Sequence, residues 1–201
     1  MQTKRRVPQK AHLRQEILSK RDALSPAERK GKSLAIITCL QEIRQYHGAR
    51  YPMFYASFRS EVETLDLIKG RIARGLPVVL PRTLTDERRL MPYKIQSWEQ
   101  DLKIGAYGII EPDPRRARPV SSKELDLIIV PGSVFDERCA RHGYGGGFYD
   151  RFLREDAPQA FRIGLAYSCQ VVEKAPCEPH DQKMDMIITE NGVIRCHSHI
   201  D

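Results

Sequence analysis

At 201 residues, 41% hydrophobic and 29% charged, the chain has the size and apolar content of one folded domain, which excludes a disordered chain and leaves too little core for two domains. It has no apolar run near the ~20 residues a bilayer crossing needs, no apolar signal core after its basic N-terminus, and five scattered cysteines without a C-x-x-C. A cytoplasmic protein with reduced thiols, and with neither a disulfide framework nor a zinc knuckle, is therefore expected. The net charge is +7, and residues 1–33, with ten Lys or Arg against three acids, carry all of it, which points to a polyanionic or phosphorylated ligand.

Residues 8–24 read as a helix: Leu13, Ile17 and Leu24 share one face, with Leu18 beside them. Lys10, Arg14 and Arg21 form a second, basic stripe alongside. Ser25-Pro26-Ala27-Glu28 spells a capping box with proline at the first helical position. It opens a second helix that buries Leu34, Ile37, Leu40 and Ile43 and ends near Gly48.

From residue 49 strand and helix alternate. Tyr51–Phe58 is an apolar run of strand length, Thr64–Arg74 carries Leu65, Ile68 and Ile72 at helical spacing before Gly75, and Pro77–Leu80 is a short buried strand. That βαβ unit implies a parallel sheet. Arg89–Ile95 reads as a further strand, 111–122 as a polar, proline-rich crossing loop, and Leu125–Val130, Arg162–Tyr167 and Met184–Thr189 as strands. The expected fold class is α/β: one three-layer domain over 1–201, with a mainly parallel sheet flanked by helices and loose tails at 1–7 and 190–201.

The segment Arg141-His142-Gly143-Tyr144-Gly145-Gly146-Gly147-Phe148-Tyr149-Asp150-Arg151 carries the chemistry. Four glycines in five positions let the backbone take positive φ and approach a ligand closely. Phe148, Phe152 and Leu153 suggest a helix starting near Gly147, and successive N–H groups at such a start form an anion site. Asp150 falls in the first turn, where a carboxylate is favoured and can hold Mg²⁺ beside phosphates. A flexible turn would need none of the flanking aromatics, the Asp or the two Arg. Phe148 stands where a dinucleotide G-x-G-x-x-G needs glycine, and Gly31-Lys32-Ser33 has Pro26 where a P-loop needs its first glycine, so neither motif is met. Cys196-His197-Ser198-His199 has metal-ligand residue types but sits in the last six residues and reads as a frayed end.

Phe135-Asp136 together with Arg141 to Asp150 resembles the signature of the 5-formyltetrahydrofolate cyclo-ligase family. Three other pieces agree in order and spacing. Lys10-Ala11-His12-Leu13-Arg14 resembles the family's K-x-x-L-R, Ser60-Glu61-Val62-Glu63-Thr64 its E-x-x-T, and His180-Asp181-Gln182-Lys183-Met184-Asp185 its H-D-x-x-x-D. The resemblance covers about residues 10–189. It implies ATP-dependent cyclisation of 5-formyltetrahydrofolate to 5,10-methenyltetrahydrofolate with release of ADP and phosphate. Under it, Lys10, Arg14, Arg141, His142, Gly143, Tyr144, Gly145, Gly146, Gly147, Phe148 and Tyr149 bind ATP. Glu61, Tyr107, Tyr144, Gly145, Gly146, Gly147 and Phe148 bind the folate, and Asp150 and Asp185 bind Mg²⁺. The implied protein is a monomer with a small-molecule folate substrate, ATP and Mg²⁺, no covalent catalytic residue, and neither a specific nucleic acid nor a membrane as partner. The chain departs from the family pattern at Cys139, usually glycine, at His142, usually leucine, and at Gly146, where some members carry lysine. Two other readings are a non-catalytic folate- or nucleotide-binding relative and a basic nucleic-acid-binding protein; the latter shares the charge but leaves the glycine loop and both aspartates without a role.

Overall fold

A computed structural model gives the fold and describes residues 3–196. Helix α1 (Thr3–Asp22) starts ahead of Pro8, because Lys4-Arg5-Arg6 are good helix formers; the expected loose tail at 1–7 is helical from Thr3. Helix α2 (Pro26–Glu42) opens on the expected capping box: the Ser25 hydroxyl accepts the Glu28 N–H, and the Glu28 carboxylate accepts the Ser25 N–H. It stops short of Gly48. Ile43 turns to an extended conformation that drops its side chain into the core, and a separate short helix α3 (Arg44–Gly48) follows.

Strand β1 (Pro52–Met53), helix α4 (Leu65–Ala73) and β2 (Val79–Leu84) form the expected βαβ unit, with β1 and β2 parallel. β1 is much shorter than the apolar run Tyr51–Phe58 suggests, because the chain leaves the ladder to wall a cavity. β3 (Arg89–Lys94) returns antiparallel to β2. The expected crossing loop at 111–122 is partly strand. β4 (Leu102–Ile104) and β5 (Ile110–Pro112) make a hairpin, and β6 (Arg118–Pro119) closes the sheet edge, a position where a proline without an N–H is tolerated. Then come β7 (Leu127–Val130), β8 (Val134–Asp136), β9 (Arg141–His142) and one helical turn, α5 (Phe148–Arg151), which runs on as a π-turn over Phe152–Asp156. β10 (Phe161–Leu165), β11 (Val171–Val172), β12 (Met186–Thr189) and β13 (Gly192–Arg195) follow.

The main sheet runs β13-β12-β10-β7-β1-β2-β3-β6, and β8, β9 and β11 form a small second sheet. The five central strands of the main sheet are parallel; the two ends are antiparallel. In β7, Leu127 and Ile129 pack with Ile36 and Leu40 of α2 and Ile68 of α4, whereas Ile128 and Val130 pack with Phe152 and Leu153 on the opposite face. A strand buried on both faces reads as a continuous apolar run, as Leu127-Ile128-Ile129-Val130 does. The fold is thus α/β with three layers, as expected.

At the C-terminal edge, residues 192–195 pair with β12 instead of forming part of a loose tail from 190. That ladder brings Cys196 to Cys139, with Cα atoms 6.0 Å apart, a separation a disulfide spans. Oxidation of that pair would depart from the expected reduced thiols; Cys39, Cys169 and Cys177 are free. A separation of 57 residues gives no local spacing signal. His197, Ser198 and His199 of the candidate metal cluster lie outside the described residues.

The order of the parallel strands reverses between β1 and β7: from β1 the chain moves outward to β2, then returns to β7 on β1's other side and continues to β10 and β12. In open α/β sheets, ligands bind in the crevice beyond the strand C-termini at such a switch point.

Candidate active site

A cavity of about 620 Å³ lies at that switch point. Tyr55, Ala56 and Glu61 beyond β1 line it, as do Leu80 and Pro81 of β2 and Pro131 beyond β7. The glycine loop closes one side and the β4–β5 hairpin another.

Glu61 is displayed by a loop that Thr64 staples shut. The Thr64 hydroxyl donates to the Tyr55 carbonyl (2.6 Å) and accepts the Ser57 N–H (3.1 Å), and the Thr64 N–H donates to the Ser57 hydroxyl (3.0 Å). This gives the threonine of the E-x-x-T segment a physical role. One Glu61 oxygen accepts the Phe58 N–H (2.9 Å) and the other accepts the Tyr144 hydroxyl (2.6 Å). An ionised carboxylate has about four acceptor sites, so each oxygen keeps one toward the cavity. Burial raises the Glu61 carboxyl above the ordinary glutamate range, against the lowering effects of Tyr144, the Phe58 amide and Arg21.

The glycine loop uses its freedom where the sequence suggests. Gly145 has φ +104° and Gly147 φ +69°, a region that penalises a Cβ. A Cβ on Gly146 would meet the Phe148 ring at 2.6 Å, and one on Gly145 would come within 3.1 Å of Arg14 Nη1. Among the described residues, no protein acceptor takes a hydrogen bond from the backbone N–H groups of residues 143–147. A curved run of donors like this is an anion-binding nest. Behind it, buried Arg141 donates to the Pro131 carbonyl (3.0 Å) and pairs with Asp150 (2.9 Å). His142 is buried too and donates from Nε2 to the Pro176 carbonyl (2.5 Å); burial, helped by Lys10 and Arg14, lowers its pKa. Its role is to hold the loop base, a contact that leucine cannot make. Cys139, where the family usually has glycine, takes φ +63°, so that position does call for the left-handed region.

The basic stripe of α1 turns toward this loop rather than to solvent. Arg14 lies beside Gly145, and its Nε has no hydrogen-bond partner among the described residues. Lys10 is paired with Asp181 (2.5 Å) and Glu178 (3.5 Å). Asp150 lines the cavity; beyond Arg141, it accepts the Gln182 N–H (3.1 Å). Asp185 stands outside the lining: it caps β10 by accepting the Arg162 N–H (2.8 Å). Tyr107 sits at the hairpin tip with φ +59°, exposed, and its ring borders the cavity. Phe148 and Tyr149 line the wall beside Asp150. Gly31-Lys32-Ser33 lies inside α2, where Lys32 pairs with Glu190 and Ser33 bonds to Tyr167.

Arg21 and Glu111 are among the lining residues absent from the sequence-based set. Arg21 shares the stripe of Lys10 and Arg14, a signal present in the spacing. Glu111 is buried and accepts the Thr83 N–H (3.2 Å) and the Ala106 N–H (3.3 Å), tying the hairpin tip to β2; nothing local in the proline-rich segment marks it.

The model of the 5-formyltetrahydrofolate cyclo-ligase family matches residues 6–190. The chain is 31% identical over 173 residues to the 5-formyltetrahydrofolate cyclo-ligase of Saccharomyces cerevisiae, covering 76% of this chain and 81% of that one. It is 30% identical over 180 residues to that of Escherichia coli K12, covering 88% and 98%. The NMR structure of Aquifex aeolicus 5,10-methenyltetrahydrofolate synthetase superposes with a TM-score of 0.84 at 30% identity, covering 96% of this chain and 95% of that one.

Proposed function

The chain belongs to the 5-formyltetrahydrofolate cyclo-ligase family, and from that premise we propose that it closes 5-formyltetrahydrofolate to 5,10-methenyltetrahydrofolate at the expense of ATP, releasing ADP and phosphate. The observation that carries this reading is the row of backbone N–H groups at 143–147 without a protein acceptor among the described residues, beside Arg14 and opening on a cavity that Glu61 also lines. In this reading the protein works as a cytoplasmic monomer.

In the reaction the formyl oxygen attacks the γ-phosphorus, forming one P–O bond as the bond to ADP breaks. The folate's N10 then attacks the activated formyl carbon. The C–O bond to phosphate breaks, and N10 gives up its proton as the five-membered ring closes. Neither step needs a covalent nucleophile from the protein; positioning and charge neutralisation suffice. The loop amides and Arg14 would hold the phosphates, with Lys10 drawn from its carboxylates toward them. Glu61 would take the two adjacent N–H donors of the pterin ring, and Tyr107 would cover it. A carboxylate facing phosphates suits Mg²⁺, which keeps one or two such ligands. Asp150, which lines the cavity, would be that ligand, whereas Asp185, outside the lining, would keep to capping β10. Bound there, Mg²⁺ supplies neutralisation of the polyphosphate.

Protein mixed with 5-formyltetrahydrofolate, ATP and Mg²⁺ is expected to show the absorbance of the methenyl product, and omission of ATP abolishes it. No product above a control lacking enzyme, from folded protein, would overturn the reading.

The phosphate loop has its own test. Gly145→Ala and Gly147→Ala are each expected to weaken ATP binding about tenfold, roughly 1.4 kcal/mol. A left-handed alanine costs about 1–2 kcal/mol, so the melting temperature should fall by only a few degrees. Calorimetric titration beside a thermal melt reads both. Unchanged ATP affinity in both variants would move the phosphate site elsewhere.

A further inference from the structure

Arg21, on the last turn of α1, is only 4% exposed. Its Nε donates to the Ser60 hydroxyl (3.0 Å), and its Nη1 donates to the Tyr144 hydroxyl (2.8 Å). The guanidinium also stands 5.7 Å from the centroid of the Tyr144 ring. The Ser60 hydroxyl in turn donates a hydrogen bond to Asp22, which is otherwise exposed and stays 3.9 Å from the Arg21 Nε. A buried cation without a well-placed buried carboxylate is unfavourable. The Tyr144 hydroxyl links it to the Glu61 carboxylate, one phenol away.

The order of the bonds sets their direction. An arginine donates and never accepts. Once Arg21 Nη1 occupies the Tyr144 oxygen, that oxygen is no longer an open acceptor for Glu61. The phenol proton is then aimed at Glu61, at 2.6 Å, and not at the Gly132 carbonyl, at 3.4 Å. Without Arg21 the phenol could accept from a protonated Glu61, and an oxygen bearing a proton no longer accepts from the ligand. Arg21 therefore decides whether Glu61 offers two acceptors or one.

We propose that Arg21 is a positioning residue of the folate site, acting through the Tyr144 hydroxyl to hold Glu61 as a two-oxygen acceptor for the paired N–H donors of the substrate ring. The inference rests on the reading of Glu61 as the group that binds the pterin. It predicts a defect confined to folate, because Arg21 lies on the Glu61 side of the loop while Arg14 and the amides face the phosphates.

The test is calorimetric titration of folded protein with 5-formyltetrahydrofolate and, separately, with ATP. Arg21→Gln is expected to weaken folate binding about tenfold and to change ATP binding by less than about twofold. Arg21→Lys, which keeps the charge but not the fork, should recover part of the loss. In a Tyr144→Phe background, Arg21→Gln should add less than about twofold, because residues acting in series are non-additive. Equal losses for both ligands, equal losses in both backgrounds, or normal folate binding by Arg21→Gln would each overturn the proposal. If Arg21→Gln does not fold, Ser60→Ala, which removes only the hydroxyl anchoring Nε, should weaken folate binding about threefold with ATP unaffected; unchanged folate binding there is equally decisive. Wild-type protein that binds folate but makes no methenyl product would sink the ring-closure reading and leave this test standing. Active wild type with unaffected variants would sink only the role of Arg21, and wild type that binds no folate would sink both.

Discussion

Glu61→Gln is expected to lower kcat/KM for 5-formyltetrahydrofolate about a hundredfold, roughly 2.8 kcal/mol, the scale of one or two hydrogen bonds to a charged acceptor. An amide has one accepting oxygen. Against two adjacent N–H donors, its own NH₂ meets one of them donor to donor. The KM for ATP should stay near wild type. Stability should move the other way. Burial raises the Glu61 carboxyl above its ordinary range. A carboxyl whose folded pKa is raised contributes stability that is present below its unfolded pKa and lost as pH rises through the folded one. At neutral pH the ionised carboxylate therefore weighs against the fold, and Glu61→Gln should melt at or above the wild-type temperature. In the wild type, folate affinity should fall with decreasing pH above the window where an exposed glutamate titrates. A parallel fall in Glu61→Gln would remove this residue as the cause.

Asp150→Asn joins two effects that a simple metal ligand would not. In its proposed role as a hard ligand among phosphates, the carboxylate should matter to turnover by about two orders of magnitude, with extra Mg²⁺ restoring only part. Arg141, at 2% exposure, also loses the charge opposite it. Removing one partner of a buried pair is destabilising even when a neutral oxygen remains; with the amide still accepting, a loss of about 2 kcal/mol is expected. For a chain of this size that lowers the melting temperature by about 4–8 °C. Steady-state rates against Mg²⁺ concentration, with melts alongside, separate the two. A variant with wild-type rates would take Asp150 out of the site; one with lost rates and an unchanged melt would mean that the Arg141 pair contributes nothing to stability.

What the sequence made legible follows from how local each signal is. The capping box at Ser25 and Glu28 is four residues long and formed as read. Leu127-Ile128-Ile129-Val130 and Met186-Ile187-Ile188 read as strands, and they lie in strands buried along their length. The positive φ of Gly145 and Gly147 was readable because only glycine adopts it freely. The apolar run Tyr51–Phe58 misled about β1 because hydrophobicity marks burial and not hydrogen bonding; Tyr55 and Ala56 are buried against the cavity without a ladder partner. The break at Ile43 is a backbone choice driven by tertiary burial. For the site, Glu61 and Asp150 line one crevice and Arg14 lies beside Gly145 of its glycine loop, whereas Lys10 is paired with Asp181 and Asp185 holds the start of β10. Arg21 was visible as part of a stripe, but its link to Tyr144, far along the chain, was not.

Oxidised, the Cys139–Cys196 pair would turn the last part of the chain into a covalent ring. The glycine loop, α5, β10, β11, β12 and β13 all lie inside it, while α1 and the Glu61 loop lie outside. In an unfolded chain a closure over 57 residues removes conformational freedom equivalent to about 4 kcal/mol, so the segment that carries the glycine loop is the one restrained from unravelling. A peptide bond cut anywhere between the two cysteines leaves a single molecule as long as the bond is oxidised. Added thiol then divides that molecule in two, whereas a cut before Cys139 divides it under either condition. The redox state of one pair of sulfurs thus decides whether the machinery downstream of Cys139 survives a nick as one body.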